Sequence, residues 1–443
     1  MPLRIGIVGA GLVGSAAVLA LSRLPDAEVV AFEKAPSARE AGAWISLTVT
    51  GLKVLTKLIP PAEISAIAYR PPDRAVYVTR HWRTGAVLLR NYSSDHLKDD
   101  YVQARTHREP LLKLLLSHVP TGAIQYGQPV VGVELAPNNN DKDDARGPVR
   151  LLFANPDGGT TPTSRDFDIV VAADGLYSPI RRQFWPDHRV SFEGAVAYRT
   201  IFPAARVAGI AGLHDDSSAW RKDGEVVFLS ALGLGMYGVV IIRDETPEYM
   251  DRTGLRWEHP IGAAGVERLR GLYADWDPLI SRVLAVVDGM DAYPLDSGPW
   301  LQQLAQADRI AFVGDAAHPT AGAYGAGAAM GFGDCWALYR ALSASRSRST
   351  AADEQPASAG PSAHRYDIAK ALRIFEQARL PFLLRVEEQM ELDGRDGRYV
   401  SAAVADEQEW MRRYVERNPP SNWLTEHDVE LEVQNAIMRH LDS

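Results

Sequence analysis

Three glycines near the N-terminus have the spacing of a dinucleotide-binding turn. Gly9, Gly11 and Gly14 form the pattern G-x-G-x-x-G within IGIVGAGLVGSAA. In this pattern the first glycine allows a tight turn, the second lets a pyrophosphate approach the backbone, and the third lets a helix pack closely on a strand. Glu33 follows 19 residues after Gly14, where a carboxylate accepts a hydrogen bond from a ribose hydroxyl. These four residues predict that the chain binds a dinucleotide.

Two further acid–glycine pairs stand at the ends of apolar runs. Asp174-Gly175 follows DIVVAA, and Gly314-Asp315 follows RIAFV and precedes His318 in GDAAH. In open α/β sheets, ligands bind beyond the carboxyl ends of the strands. Polar side chains placed there are therefore candidates for ligand contacts.

Hydrophobic periodicity predicts the elements that position these residues. Residues Ser15–Leu24 have the alanine- and leucine-rich pattern of a helix, and residues 108–118 and 371–392 also have helical periodicity. Short apolar runs bounded by polar or glycine residues predict interior parallel strands at 3–8, 28–32, 168–172 and 309–313.

The stretch from about residue 187 to 250 has a different pattern. VSFEGAVAYRTIF, EVVFLSAL and MYGVVIIRD predict strands of a largely antiparallel sheet joined by glycine-containing turns. We interpret it as a second, sheet-based domain inserted into the first. Polar stretches at 136–148 and 156–166 predict hairpin loops, and residues 343–363 predict a mobile surface loop.

Composition restricts the class of protein. A chain of 443 residues exceeds what one core usually covers, so two domains are expected. The net charge of −9 argues against non-specific binding to nucleic acid or anionic membrane. Cys335 is the only cysteine, which excludes an intrachain disulfide and a cysteine-held metal, so we expect no metal site. With neither a signal-peptide pattern nor a membrane-spanning run, a cytoplasmic location is expected.

The early G-x-G-x-x-G, the central D-G and the late G-D-A-A-H resemble, in order and spacing, the class A FAD-dependent aromatic hydroxylases, a family of flavoprotein monooxygenases. The similarity covers most of the chain and is greatest to the salicylate hydroxylase and 4-hydroxybenzoate 1-hydroxylase branch. It implies an α/β fold with a Rossmann-like FAD-binding domain at residues 1–70, 100–186 and 285–385. A mainly antiparallel β-sheet substrate domain would occupy 71–99 and 187–284, followed by a C-terminal helical segment at 386–443.

The resemblance also implies which residues contact the FAD, bound non-covalently. Asp315 would accept a hydrogen bond from the ribityl chain. A helix beginning at Gly325, Ala326, Gly327 and Ala328 would direct its N-terminus towards the pyrimidine edge of the isoalloxazine, where its N–H groups stabilise negative charge on reduced flavin. The other implied contacts are Gly9, Gly11, Gly14, Glu33, Lys34, Arg39, Arg108, Asp174, Gly175 and Gly314.

Some implied roles are less direct. Arg39 would lie near the pyrophosphate and the entrance of the nicotinamide cofactor. His318 belongs to the family's cofactor motif, and a catalytic proton-transfer role is the alternative. Asp334 matches the second acid of a Glu-Asp pair in relatives, whereas Gly333 replaces the first.

The inserted sheet would form the roof of the substrate pocket. Tyr198-Arg199 matches an A-Y-R segment in salicylate hydroxylase-like relatives, and Arg199 would pair with a substrate carboxylate or phenolate. Tyr237 would offer a hydroxyl to the same pocket, with a half-buried structural tyrosine as the alternative, and Tyr324 would contact the substrate.

The resemblance implies an enzyme that hydroxylates a small aromatic acid, with NADH or NADPH and O2 as co-substrates, through a C4a-hydroperoxyflavin. If the attacked carbon carries the carboxylate, CO2 leaves, as when salicylate gives catechol. Alternatives are 4-hydroxybenzoate 1-hydroxylation, hydroxylation of a non-acidic phenol, and, in another class, a non-catalytic FAD-binding redox sensor. The sequence leaves NADH versus NADPH, and monomer versus homodimer, open.

Overall fold

The computed structural model describes residues 1–39, 44–137, 146–154, 163–222, 224–347, 366–395, 406–417 and 422–441. The strands in these ranges are β1 (Leu3–Val8), β2 (Ala27–Glu33), β3 (Trp44–Leu47), β4 (Ala75–His81), β5 (Val87–Tyr92), β6 (Ala104–His107), β7 (Ile124–Tyr126), β8 (Val130–Pro137), β9 (Arg146–Phe153), β10 (Thr163–Phe167), β11 (Ile169–Ala172), β12 (Ser191–Pro203), β13 (Ser217–Lys222), β14 (Glu225–Leu232), β15 (Met236–Asp244), β16 (His259–Pro260), β17 (Asp291–Ser297), β18 (Ala305–Gln306) and β19 (Ile310–Phe312).

The α-helices in the same ranges are α1 (Leu12–Leu21), α2 (Val49–Leu58), α3 (Pro61–Ile67), α4 (Arg108–His118), α5 (Pro179–Phe184), α6 (Pro247–Thr253), α7 (Gly262–Leu272), α8 (Pro278–Ala285), α9 (Gly327–Ala344), α10 (Ile368–Arg395), α11 (Glu407–Arg417), α12 (Asn422–Thr425) and α13 (Val429–Leu441).

A six-stranded sheet brings the acid and glycine turns together. Its order is β18-β19-β11-β1-β2-β7, with β1 central and parallel to both β11 and β2. Val8 at the end of β1 lies opposite Ala172 at the end of β11. Because parallel strands end at the same edge, the turns after β1, β11 and β19 are neighbours. The strands and helices predicted for this region are confirmed, with boundaries shifted by a few residues.

A second, eight-stranded sheet has the order β16-β17-β12-β15-β14-β13-β4-β5. Its neighbours are antiparallel, apart from the parallel pair β13 and β4. One face packs on α7 and α8 through a separate apolar core that includes Tyr198, Phe202 and Tyr237. The predicted antiparallel sheet over residues 187–250 is therefore confirmed, and the N-terminal hairpin β4–β5 completes it. The domain boundaries given above stay a prediction.

A two-stranded ribbon lies between the two sheets. Its strands β3 and β6 pair so that Trp44 is opposite His107 and Ser46 is opposite Arg105. A methyl group added at Gly238 of β15 would lie 3.0 Å from the Trp44 ring. The ribbon therefore packs directly on the face of the large sheet that is remote from α7 and α8.

The polar stretches behave differently from one another. The prediction of a loop at 156–166 is wrong at its C-terminal end, because β10 begins at Thr163 and pairs with β9. The prediction of a loop at 136–148 is likewise wrong at both ends, because β8 continues to Pro137 and β9 begins at Arg146. The remaining residues of the two predicted loops, 138–145 and 156–162, lie outside the described residues. In the loop predicted at 343–363, helix α9 continues to Ala344, and residues 348–363 lie outside the described ranges. No helix among the residues the structure describes is long and apolar enough to cross a membrane.

Candidate active site

The turn after β1 is built so that only glycine fits at two of its three glycine positions. A methyl group at Gly9 would lie 2.4 Å from the Ala173 carbonyl oxygen, and Gly9 has a left-handed φ of 92°. At Gly14 the added carbon would lie 2.0 Å from the carbonyl oxygen of Gly9. At Gly11, by contrast, nothing lies within 4 Å. Helix α1 begins directly after Gly11, so its free N–H groups face open space, which suits an anionic group.

Glu33 closes this turn from β2. Its carboxylate accepts hydrogen bonds from the backbone N–H of Ala10 at 2.8 Å and from that of Ala35 at 2.9 Å. The acid is therefore held beside the glycine turn, at the place expected for a ribose contact. The neighbouring Lys34 is exposed, and Arg39 forms an ion pair of 2.6 Å with Glu258 of the segment before β16.

Asp174 and Gly175 lie in the turn after β11, beside Gly9. One carboxylate oxygen of Asp174 accepts a long hydrogen bond of 3.4 Å from the Ile180 N–H. The other, Oδ1, has no hydrogen-bond partner in the described residues. Burial raises the Asp174 pKa to about 6. Gly175 has φ +77° and no atom within 4 Å of an added methyl group, so open space adjoins this turn also.

Asp315 lies in the turn after β19, close to the start of α9. Its side chain is exposed in a recess. The surrounding protein reduces the hydration of the carboxylate and so raises its pKa, whereas positive charge from His318, Arg108 and Arg181 acts to lower that pKa. A methyl group added at Gly327, the first residue of α9, would lie 3.8 Å from Asp315 Oδ1. The carboxylate and the helix N-terminus therefore border the same space.

The residues just before α9 reach the ribbon. Gly325 has φ +60°, and a methyl group added there would lie 3.5 Å from the Ser46 hydroxyl of β3. Tyr324 has φ 56°, an uncommon backbone conformation for a non-glycine residue, and its half-buried ring packs on the core of the six-stranded sheet. Ala326 is buried, and Ala328 is half-buried beside the same core.

Arg181 joins two of these turns, a role that the sequence patterns did not indicate. Its buried guanidinium donates hydrogen bonds of 3.0 Å each to the carbonyl oxygens of Asp315 and Ala316, and another to the carbonyl of Leu176. Its position three residues after Ser178, in the helix that follows Asp174-Gly175, is the only signal in the sequence that marks it.

His318 does not reach the recess as a free base. Its imidazole is 1% exposed, and Nε2 lies 2.6 Å from Asp334 Oδ2. Asp334 Oδ2 also accepts a hydrogen bond of 2.9 Å from the Gly314 N–H. This contradicts the proton-transfer alternative for His318, because a side chain enclosed in this way cannot contact a substrate. Asp334, which matches the second acid of the Glu-Asp pair in relatives, is thus a buried hydrogen-bond acceptor in this structure.

Arg199 lies on the face of the large sheet that the ribbon covers. Its guanidinium carbon is 4.9 Å from the centre of the Tyr293 ring on β17. Within the described part of the chain, Arg199 has no carboxylate partner. Burial and the nearby charge of Arg108 lower its pKa to about 10. Arg108, at the start of α4, is near both Arg199 and Asp315, because its positive charge lowers the pKa of each.

Tyr198 and Tyr237 point to the other face of the sheet, which contradicts the expectation that they contact substrate. Successive residues of a strand face opposite sides, so Tyr198 turns away from Arg199. Its hydroxyl donates a 2.7 Å hydrogen bond to the buried Glu245. Tyr237 is opposite Phe202 across β12 and β15, and their rings stack at 6.1 Å in the core beneath α7 and α8.

The residues at the sheet edge fit FAD. The open space at Gly11 and Gly175, the helix N-termini of α1 and α9, and the carboxylates of Glu33 and Asp315 match a pyrophosphate flanked by hydroxyl-bearing chains. No group of three or more His, Cys, Asp or Glu side chains in the described residues could hold a metal ion.

Comparison with known proteins supports this interpretation. No protein-family model matches the chain. It is 27% identical to 6-hydroxynicotinate 3-monooxygenase of Bordetella bronchiseptica over 347 residues, which cover 76% of the chain and 82% of that protein. It is 29% identical to 3-amino-4-hydroxybenzoate 2-monooxygenase of Streptomyces cremeus over 72% of the chain and 73% of that protein. Salicylate hydroxylase of Pseudomonas putida is 24% identical over 99% of the chain and 95% of that protein.

The chain is a relative of the FAD-dependent monooxygenases. The predicted resemblance is confirmed, and the relatives agree with the predicted aromatic-ring monooxygenase. A salicylate hydroxylase in a substrate complex has the same fold, with a TM-score of 0.73, 20% identity and 98% of both chains covered. CtdE in complex with FAD and a substrate gives a TM-score of 0.74 at 17% identity over the whole of both chains. The α/β fold of these flavoprotein hydroxylases is therefore that of this chain.

Proposed function

We propose that the protein is an FAD-dependent monooxygenase that consumes NADH or NADPH and O2 and hydroxylates a small phenolic acid. One observation carries the choice of an acidic substrate. Arg199 presents a guanidinium without a carboxylate partner in the described residues, on the sheet face that packs against the ribbon. Arg199 is half-buried, so its guanidinium has lost part of its hydration without gaining a carboxylate partner, and the site therefore favours a negatively charged ligand.

The chain's own residues account for cofactor binding. When bound, FAD supplies the hydride acceptor and the oxygen-activating centre. The N-terminus of α1 at Gly11 would receive the pyrophosphate, and Glu33 a ribose hydroxyl. Asp315 would accept a hydrogen bond from the ribityl chain. The first N–H groups of α9 would face the pyrimidine edge and stabilise its negative charge.

Arg199 would bind and orient the substrate. A guanidinium pairs with a carboxylate through two parallel hydrogen bonds, and next to a phenol it stabilises the phenolate and lowers the phenol pKa. The names of the three sequence relatives describe aromatic rings that carry a carboxylate and a hydroxyl group, the groups that such a site would recognise. Trp44 of the ribbon and Tyr293 of β17 would flank the ring.

We further propose that hydroxylation occurs at the carbon bearing the carboxylate, with loss of CO2, so that salicylate gives catechol. The alternatives are 4-hydroxybenzoate 1-hydroxylation, which would give hydroquinone, and hydroxylation of a phenol without a carboxylate. The similarity to salicylate hydroxylase over nearly the whole chain supports the conversion of salicylate to catechol over these alternatives.

The test is product analysis with the purified holoenzyme. Oxidation of NADH and of NADPH is followed with salicylate, 4-hydroxybenzoate, phenol and no aromatic compound, and the products are separated chromatographically. We expect turnover that depends on the acids, with one mole of catechol and of CO2 formed per mole of salicylate consumed. Turnover with phenol alone would contradict the acidic substrate, and hydroxylated product that keeps its carboxylate would contradict decarboxylation.

The same experiment separates the enzyme from a redox sensor. A sensor would bind FAD yet show no oxidation of NADH or NADPH that depends on any of the aromatic compounds. Uncoupled oxidation that yields only hydrogen peroxide would indicate that the compound binds without reacting, and a wider panel of hydroxylated aromatic acids would then be used.

A further inference from the structure

A buried ion pair links the C-terminal helix α10 to the turn that carries Asp315. Arg379 of α10 donates a hydrogen bond of 2.9 Å from Nε to Asp334 Oδ1, and both side chains are 0% exposed. Asp334 is itself the acceptor for the Gly314 N–H and the partner of His318. One carboxylate therefore joins α9, α10 and the turn that follows β19.

The network leaves Asp334 ionised despite its burial. Positive charge from His318 and Arg379, together with the hydrogen bonds it accepts, lowers the Asp334 pKa although burial acts the other way. Without the arginine, this buried carboxylate would keep its desolvation cost and lose a positive partner, so its pKa would rise. The neutral carboxyl is a weaker acceptor than a carboxylate, and its hydrogen bond from the Gly314 N–H would weaken.

The packing around Gly333 adds a second constraint. A methyl group there would lie 3.2 Å from Arg379 Nη2 and 3.0 Å from Val429 of α13. The glycine that replaces the family's first acid thus lies against the guanidinium, and leaves Asp334 as the carboxylate bonded to it. Arg379 Nη2 also donates a hydrogen bond of 3.3 Å to the Met330 carbonyl of α9.

Gly314 is the point where this network acts on the cofactor side. It has φ +59°, and an added methyl group would lie 3.2 Å from Val13 of α1. With its N–H fixed by Asp334, the next residue, Asp315, is directed towards the recess at the start of α9. The conformation of Asp315 therefore depends on Asp334 and, through it, on Arg379.

We propose that Arg379 is a positioning residue for the cofactor: by pairing with Asp334 it holds residues 314–318 in the conformation in which Asp315 binds FAD. This inference rests on the proposed FAD site. It makes α10, which carries none of the nucleotide-binding patterns, a determinant of flavin affinity.

The test is the dissociation constant for FAD of the full-length apoprotein, measured by quenching of flavin fluorescence, together with the unfolding temperature of each apoprotein. Arg379→Met is expected to weaken FAD binding about 10-fold to 100-fold, by analogy with the loss of metal affinity when residues that orient metal ligands are removed. Arg379→Lys keeps a cation but not the planar fork, so its loss should be smaller. Arg385→Met, on the exposed side of the same helix over Trp423, is the matched control and should bind FAD like the wild type.

The outcomes are distinguishable. If Arg379→Met lowers the unfolding temperature of the apoprotein but binds FAD within about twofold of wild type, the residue is only a scaffold and the proposal is overturned. Should that variant fail to fold, Arg379→Lys and Asp334→Asn carry the test, and unchanged FAD affinity in both overturns it equally. A wild-type apoprotein that binds no FAD would instead refute the proposed function itself.

Discussion

A single side chain, Arg199, separates the acidic-substrate hypothesis from its alternatives. Its side chain is half-buried on the sheet face that the ribbon covers, and its guanidinium lies over the Tyr293 ring. The neighbouring charge of Arg108 adds to the cost of keeping two cations close together. An anionic ligand would relieve that cost in the complex, whereas a neutral phenol would not.

Replacing Arg199 by Met should therefore affect acids and neutral phenols differently. We expect KM for salicylate to rise by a factor of about 30 or more, equivalent to about 2 kcal/mol of lost charge-assisted hydrogen bonding, with flavin content unchanged. Steady-state kinetics and the ratio of flavin to protein absorbance provide the measurement. Equal changes in KM for salicylate and for phenol would rule out Arg199 as the carboxylate-binding group.

Asp174 gives the apoprotein a recognisable pH dependence. Burial raises its pKa to about 6 in the folded protein, above the ordinary value of 3.8, so the folded state retains the proton longer than the unfolded state. This acid therefore contributes stability at low pH that is lost as the pH rises from about 4 to about 6, by at most about 1.4 kcal/mol per pH unit.

The Asp174→Asn variant removes that titration. Unfolding of wild-type and variant apoproteins by urea at pH 4.5 and 6.5 should show that the variant gains stability relative to wild type as the pH increases. A constant difference between the two proteins over this range would show that Asp174 is ionised throughout.

At the scale of single elements, the turn between β1 and α1 offers a matched pair of substitutions. Gly14→Ala places a carbon 2.0 Å from the Gly9 carbonyl oxygen, so it should destabilise the apoprotein and abolish FAD binding together. Gly11→Ala meets nothing within 4 Å and has an ordinary φ of −68°, so the apoprotein should unfold at the wild-type temperature.

Gly11→Ala should nevertheless weaken FAD binding, because the added methyl group would occupy the space through which the pyrophosphate approaches the backbone. Thermal unfolding without FAD and titration with FAD separate the two effects. If Gly11→Ala binds FAD as tightly as wild type, the pyrophosphate does not lie at this turn.

The elements themselves were largely predictable because each carries a local signal. The glycine turn, Glu33, and the acids after β11 and β19 follow from strand ends and spacing, and the structure places them at one sheet edge. The face of the inserted sheet was harder to assign. Tyr198 and Arg199 are consecutive and must point apart, and the orientation of Tyr237 depends on its register opposite Phe202, which no local pattern records. The roles of Arg181 and Arg379 could not be predicted, because the groups to which they donate hydrogen bonds are far away in sequence.

At the scale of the whole molecule, an ion pair connects the two sheet-bearing parts. Arg39, after β2, pairs with Glu258, before β16, and its side chain is 72% exposed. Exposed pairs of this kind contribute about 0 to 1 kcal/mol, so stability is not their main effect. The exposed Trp257 next to Glu258 packs edge-on against Tyr293, the ring over which the Arg199 guanidinium lies.

We expect Arg39 to act on the nicotinamide cofactor. Arg39→Ala should raise KM for NADH or NADPH several-fold without changing the unfolding temperature, because a cation that attracts the dinucleotide phosphates is lost. Glu258→Gln breaks the same ion pair but keeps the cation, and should leave KM unchanged or lower it. Equal increases in both variants would mean that the contact between the two parts, and not the charge of Arg39, is what matters.

The parallel pairing of β13 with β4 has a consequence for biosynthesis. Ala219 of β13 is aligned with Thr79 of β4. The β4–β5 hairpin ends at Tyr92 and β13 begins at Ser217, so the ribosome must add 217 − 92 = 125 residues before the hairpin meets this neighbour. Until then the backbone N–H and C=O groups along one edge of β4 have no strand partner and can pair with other nascent chains. We therefore expect truncated expression clones that end before β13 to accumulate as insoluble aggregates.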